Sequence, residues 1–222
     1  MEQEKVSVVP TLDAFLVIVV TFFLVLFLGF FFSVTLGVGP ALILSELCIL
    51  IVPLGYMLVK HVNIKHYVGL DVTPKLVVLG FASGALLLFV DIVVSVLLTA
   101  VFGVSQAVEE SNAIITELSS STGGLVAVVA ALSLAGVCEE FAFRGFLQST
   151  LTRRYSFISA VIVSAVTFGL FHFDPQLVYI LSALTAGLVL GYVYHRWNSY
   201  VVSAIAHSSL NLVVLAVMLF AA

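Results

Sequence analysis

No side chain from Leu125 to Cys138 is charged at neutral pH, and then three charges arrive within six residues: Glu139, Glu140 and Arg144. A carboxylate or guanidinium at the centre of a membrane helix costs about 2.5–3.5 kcal/mol on insertion scales. A fold that carries these charges must compensate them internally, and ionisable residues at membrane depth mark functional sites by default. The membrane is the right frame. Of 222 residues, 62% are hydrophobic and 9% are charged, and the mean hydropathy is +1.27, whereas a soluble domain carries about 25% charged residues. The polar surface needed to cover a water-soluble globule is missing. The chain is expected to be all-α, a polytopic transmembrane helix bundle forming a single integral-membrane domain over residues 1–222. A net charge of −4 without any basic cluster argues against nucleic acid as a partner. Cys48 and Cys138, both in apolar segments, imply no disulfide framework.

A helix needs about 20 apolar residues to cross the hydrocarbon core. Seven segments meet this length approximately: 11–35, 40–60, 76–102, 124–147, 156–173, 176–195 and 199–221. An eighth span is compatible with the drift of such boundaries. The first segment is too long for a signal-peptide core and reads as a retained span. Gly37-Val38-Gly39-Pro40, Asp174-Pro175 and Arg196-Trp197-Asn198-Ser199 punctuate the runs. With the N-terminus inside, Lys5, Lys60, Lys65, Lys75, Arg144, Arg153, Arg154 and Arg196 all fall on or toward the cytoplasmic side. Glu109, Glu110, Glu117 and Asp174 then fall outside, which predicts an N-in, C-out topology. Tyr56, Tyr155, Tyr194, Trp197 and Tyr200 gather at the inner boundary as an aromatic belt. A surface helix is expected around Glu109–Leu118. Val62–Pro74 reads either as a segment in the headgroup plane or as a linker. Ala183, Gly187 and Gly191 recur every four residues on the sixth span and predict close helix packing.

Three pairs spaced i, i+4 sit on three different helices, so each pair shares a helix face. Glu140 and Arg144 suit a salt bridge. Glu139 lies about 100° further round the helix, without a local cation, and is free to act as a general base. Phe168 and His172 end the fifth span, and His207 and Asn211 lie inside the seventh. Taken singly, His172 is compatible with a structural histidine, and His207 and Asn211 with interhelical hydrogen bonds. Glu139 and His172 are equidistant from Tyr155–Ser156, where the chain is expected to turn, so an antiparallel hairpin would place them level.

Glu139-Glu140-x-x-x-Arg144, Phe168-x-x-x-His172 and His207-x-x-x-Asn211 together resemble the three ordered motifs of the CAAX protease and bacteriocin-processing (CPBP) family. These are intramembrane endopeptidases that include the type II CAAX prenyl proteases. The resemblance covers about residues 139–211 and makes 124–221 the catalytic helices. It implies that Glu139 and His172 activate a water and that His207 and Asn211 stabilise the oxyanion. Glu140 and Arg144 would orient that set, with Phe168 packing against it. The implied partners are the lipid bilayer and a peptide or lipid-modified protein substrate. For a prokaryotic chain, the plasma membrane is the expected location.

No cofactor is favoured. The alternative is a zinc ion held by Glu139, His172 and His207, with Glu140 as base, although no His-Glu-x-x-His motif is present. Two other classes of function compete. One is a non-catalytic scaffold or immunity-type binding protein on the same helices, for which aligned bases and donors are unnecessary. The other is a proton-coupled transporter using the further intramembrane carboxylates Glu46 and Asp91, against which stands the lack of an inverted repeat. Asp91 otherwise reads as a helix-packing hydrogen-bonding residue or a partner for Arg144.

Overall fold

Hydroxyl side chains start several helices at the places where the apolar runs break. In the computed structural model, which describes residues 8–220, Thr73 accepts from the Leu76 amide and Ser121 from the Gly124 amide. Ser156 accepts from the Ser159 amide. Each cap satisfies an amide that the helix itself cannot. The elements are α1 (Thr11–Leu36), α2 (Val38–Val59), α3 (Ile64–Val68), α4 (Pro74–Phe102), α5 (Gln106–Ser119), α6 (Thr122–Glu140), a π segment (Phe141–Gln148), α7 (Ser149–Thr152), α8 (Phe157–Phe171), α9 (Val178–Trp197) and α10 (Tyr200–Phe220). The described residues contain no strand.

Six helices are long and apolar enough to cross a membrane, the continuous Thr122–Thr152 run counting as one. The fifth expected span is shorter. α8 has 15 residues, or about 22 Å at 1.5 Å per residue, below the roughly 30 Å of hydrocarbon. Its capped start and the Asp174-Pro175 break set that length, and it lies along α9 rather than standing alone in lipid. Gly187 meets Ala165 there, and Gly191 meets Val161, so the small residues of the sixth span do pack closely. The surface helix expected near Glu109–Leu118 is α5. Val62–Pro74 contains the short α3, ended by left-handed Gly69. Lys5, counted toward the orientation, lies outside the described residues.

The two ends of the bundle differ. At one, Tyr67 and Thr150 share a hydrogen bond, Arg153 lies over the Tyr67 ring, and the Tyr200 amide donates to Gly69 O. This end carries the described lysines and, apart from the buried Arg144, the arginines. At the other, Ser105 donates to Asp174 Oδ2 at 3.0 Å, and Gln106 N donates to Gln176 Oε1 at 2.6 Å. Outward faces are apolar: Phe23, Phe27, Phe30 and Phe89 are exposed, as lipid contact requires.

Asp174 ties α5, α8 and α9 together outside the spans. Burial pushes its pKa up, but the Tyr179 and Gln176 amides and the Ser105 hydroxyl together hold it below the ordinary carboxylate value. A depressed carboxyl stabilises the fold above its unfolded pKa of about 3.9, and this contribution is lost as pH falls through the lower folded value. Amide hydrogen exchange in α5 should therefore quicken selectively below about pH 4. Asp174→Asn should quicken it at neutral pH.

Candidate active site

The site forms where α6 passes into the π segment. Glu140 is the last residue of α6 and Arg144 is the fourth residue of the widened stretch. π geometry of this kind is rare and clusters at functional sites. Glu140 Oε1 lies 2.8 Å from Arg144 Nη1, and both side chains are 0% exposed. The guanidinium also donates from Nη2 to Gly187 O at 3.2 Å and lies over the Phe168 ring, 4.5 Å from its centroid. Carboxylate, carbonyl and aromatic face together compensate a cation in an apolar core. Asp91 is not its partner: Asp91 accepts a long 3.5 Å hydrogen bond from Ser182 instead.

Glu140 also binds the opposite helix. Its Oε1 accepts from His207 Nδ1 at 3.1 Å. The other ring nitrogen, Nε2, stands 3.8 Å from Glu139 Oε2. The histidine therefore sits between the two glutamates, and Glu139, 13% exposed against 0% for Glu140, is the one that a small molecule can approach. The split between a structural and a free glutamate is thus the one expected from the helical spacing. A separation of 3.8 Å is too long for a direct hydrogen bond and is the kind of gap that a water bridges.

His172 caps α8. Its Nδ1 is 2.9 Å from Phe168 O. A carbonyl only accepts, so Nδ1 carries hydrogen and Nε2 of the neutral ring keeps its lone pair. The ring packs on Phe168 and against Tyr179, with centroids 4.7 and 4.9 Å apart. Phe168 in turn meets His207, with centroids 5.8 Å apart. Asn211 Nδ2 donates to Leu132 O at 3.3 Å, which leaves its second amide hydrogen free. His172, His207 and Asn211 line one cavity of about 360 Å³, with Asp91, Tyr179 and Ser182 also on its wall.

The hairpin argument from the sequence is right about depth and wrong about direction. Phe143 and Phe168, also equidistant from Tyr155–Ser156, stack edge to face with centroids 5.1 Å apart, and Ser164 donates to Phe143 O. Glu139 lies one turn above Phe143, but its side chain points toward α10. Glu139 and His172 do not come within ion-pair distance; the imidazole that Glu139 meets is His207. Among the described residues, no three His, Cys, Asp or Glu side chains gather as a metal site requires.

Two contributors escaped the sequence reading. Glu46 of α2, considered only as a transporter carboxylate, buries an unpartnered Oε2 within electrostatic range of Glu139. Gly136 lets α10 reach α6: a Cβ there would lie 2.2 Å from Ser208 Oγ and 2.4 Å from Ser208 N. Ser208 donates to Ser133 O across the same contact. A glycine one helical turn before Glu139 was the available signal. Gly136→Ala must push α10 off α6. It should cost about 1–3 kcal/mol as overpacking, and activity should fall further than stability because His207 moves away from Glu139. Thermal unfolding and turnover measured on the same preparation check this.

Residues 121–213 match the family described as type II CAAX prenyl endopeptidase Rce1-like. Neither a curated protein nor a solved structure gives a match.

Proposed function

Because residues 121–213 belong to the type II CAAX prenyl endopeptidase Rce1-like family, a family of membrane-embedded proteases, we propose that the chain is an intramembrane endopeptidase hydrolysing a peptide bond of a membrane-associated or prenylated substrate. The observation that carries this reading is the division of labour between the two glutamates. Glu140 is consumed by Arg144 and His207, while Glu139, the more exposed of the two, stands 3.8 Å from an imidazole nitrogen.

Glu139 takes a proton from a water as the water oxygen attacks the scissile carbonyl carbon. His172, with its Nε2 lone pair free, accepts a hydrogen bond from the second water hydrogen on the cavity side. The oxyanion receives the free Asn211 Nδ2 hydrogen and the His207 ring. With Nδ1–H committed to Glu140, His207 donates from Nε2 only as the imidazolium. The C–N bond then breaks, and the proton held by Glu139 passes to the leaving amine. Glu140, Arg144 and Phe168 position His207 and do not touch the substrate. No metal enters this scheme. The cavity of about 360 Å³ is where substrate enters, and the end rich in lysine and arginine faces the cytoplasm.

The test is cleavage of one peptide in prenylated and unprenylated forms by the purified chain and by His172→Ala, His207→Ala and Asn211→Ala. Loss of about 10²–10³ in rate is expected for His207→Ala and Asn211→Ala, the range of oxyanion-donor removal. Full rates in all three variants and in Glu139→Ala would remove the protease assignment. The rate is expected to survive exhaustive chelation, and a loss restored by added zinc would replace the metal-free scheme.

A further inference from the structure

At the end rich in lysine and arginine, a second cavity of about 250 Å³ opens between α3, the π segment with α7, and the last turn of α9. The hydrolytic scheme does not use it. Its floor is made of acceptors. Gln148 is fully buried; its Nε2 donates to Gly191 O at 2.8 Å, and its Oε1 has no partner. Ser149 Oγ lies 2.6 Å from Tyr194 Oη, and the Tyr194 hydroxyl donates to Val68 O at 3.2 Å. With the tyrosine hydrogen spent on Val68, Ser149 is the donor of the shorter bond and its lone pairs remain open. A buried acceptor without a donor is rare enough to require a partner.

The rim has the opposite character. Arg153 is exposed and held over the Tyr67 ring, 4.1 Å from its centroid. His66 and His195 are exposed and line the same cavity, His195 stacked on Phe157. Exposed Tyr155 and Tyr192 and the Arg196–Trp197 pair lie at the same end of the bundle, the composition of a membrane–water boundary. A ligand matched to this cavity carries an N–H donor at its inner end and an anion at its mouth.

We propose that this cavity binds a phosphate ester bearing a primary ammonium, as in a phosphoethanolamine headgroup. The ammonium donates to Gln148 Oε1 and Ser149 Oγ, and the phosphate pairs with Arg153 alongside His66 and His195. A choline headgroup has the same charges but no N–H, so the floor rejects it. A glycerol headgroup has the anion but offers the floor only neutral O–H donors, whose hydrogen bonds are weaker than those of a charged N–H.

Native mass spectrometry of the full chain with dioleoyl phosphatidylethanolamine, phosphatidylcholine and phosphatidylglycerol tests this. Phosphatidylethanolamine should be retained about tenfold more strongly than either of the others, equivalent to about 1.4 kcal/mol. Gln148→Leu should abolish that preference, whereas Arg153→Gln should weaken retention of all three lipids by a similar factor, keep the preference for ethanolamine and leave peptide cleavage unchanged. If Gln148→Leu does not fold, Ser149→Ala removes the other floor acceptor and should narrow the same preference. Water-soluble phosphoethanolamine is the competitor: displacement of the lipid shows that the free headgroup suffices, and resistance shows that the acyl chains contribute. Either result upholds the chemistry. Equal retention of ethanolamine and choline lipids, stronger retention of the glycerol lipid, or undiminished lipid retention in Arg153→Gln overturns the proposal.

Discussion

Glu139→Gln should lower peptide cleavage by about 10²–10⁴-fold, the contribution of a positioned general base, while leaving the fold intact. Glutamine keeps the volume and one acceptor oxygen but cannot hold the proton taken from water. Little in the fold depends on this carboxylate. Glu139 is the less buried of the pair, and its one ion-pair contact among the described residues is the 3.8 Å approach to His207. Thermal unfolding of Glu139→Gln should therefore match that of the parent. Glu140→Gln gives the informative contrast. It removes the charge that holds Arg144 and His207, so stability and rate should fall together. A Glu139→Gln enzyme that turns over normally would shift the base to another residue; a Glu139→Gln protein that does not fold would make Glu139 structural.

Arg144→Ala should be the most destabilising single change in the site. It strands Glu140 in the core without its cation, a loss of about 3–5 kcal/mol for a broken buried pair. It also empties the volume of one of the largest fully buried side chains and removes the donor to Gly187 O. Replacing both partners with apolar residues is a different experiment. In Glu140→Leu/Arg144→Leu no charge is stranded, and replacing a buried pair by well-packed apolar residues is often neutral or stabilising. Unfolding in detergent should show the double variant recovering most of what Arg144→Ala loses. It should nevertheless be inactive, because nothing then accepts from His207 Nδ1. A double variant as unstable as the single one would mean that the pair stabilises the fold through its charges themselves.

Much of this arrangement was legible before any coordinates. Apolar run lengths predicted the long helices, and the i, i+4 spacing separated the paired glutamate from the free one. The chain does turn near Tyr155–Ser156, and Phe143 and Phe168, equidistant from that turn, stack. What linear spacing does not carry is the direction of a side chain at the end of an α-helix that widens into a π segment. Glu139 accordingly meets His207, sixty-eight positions away and one helix over, where the hairpin argument expected His172. Nor does hydropathy alone separate a 15-residue helix such as α8, supported by a neighbour, from one that crosses lipid unaided. Gly136 was visible in the sequence, but its meaning depends on which helix approaches it.

The helix bearing His207 and Asn211 is gripped from two sides. Gly136 on α6 admits Ser208, while Gly80 and Gly84 on α4 admit Ile205, Ala206 and Ser209, with would-be Cβ contacts of 2.7 Å at Ile205 and 3.1 Å at Ser209. One jaw lies within residues 121–213 and the other outside them. The stretch that carries the family likeness is therefore smaller than the stretch that must assemble for the donors to be aligned. Grafting residues 121–213 onto foreign leading helices would transplant every motif and still leave α10 free to rotate. The inheritable unit and the mechanical unit have different borders in this protein, and α4 lies between them.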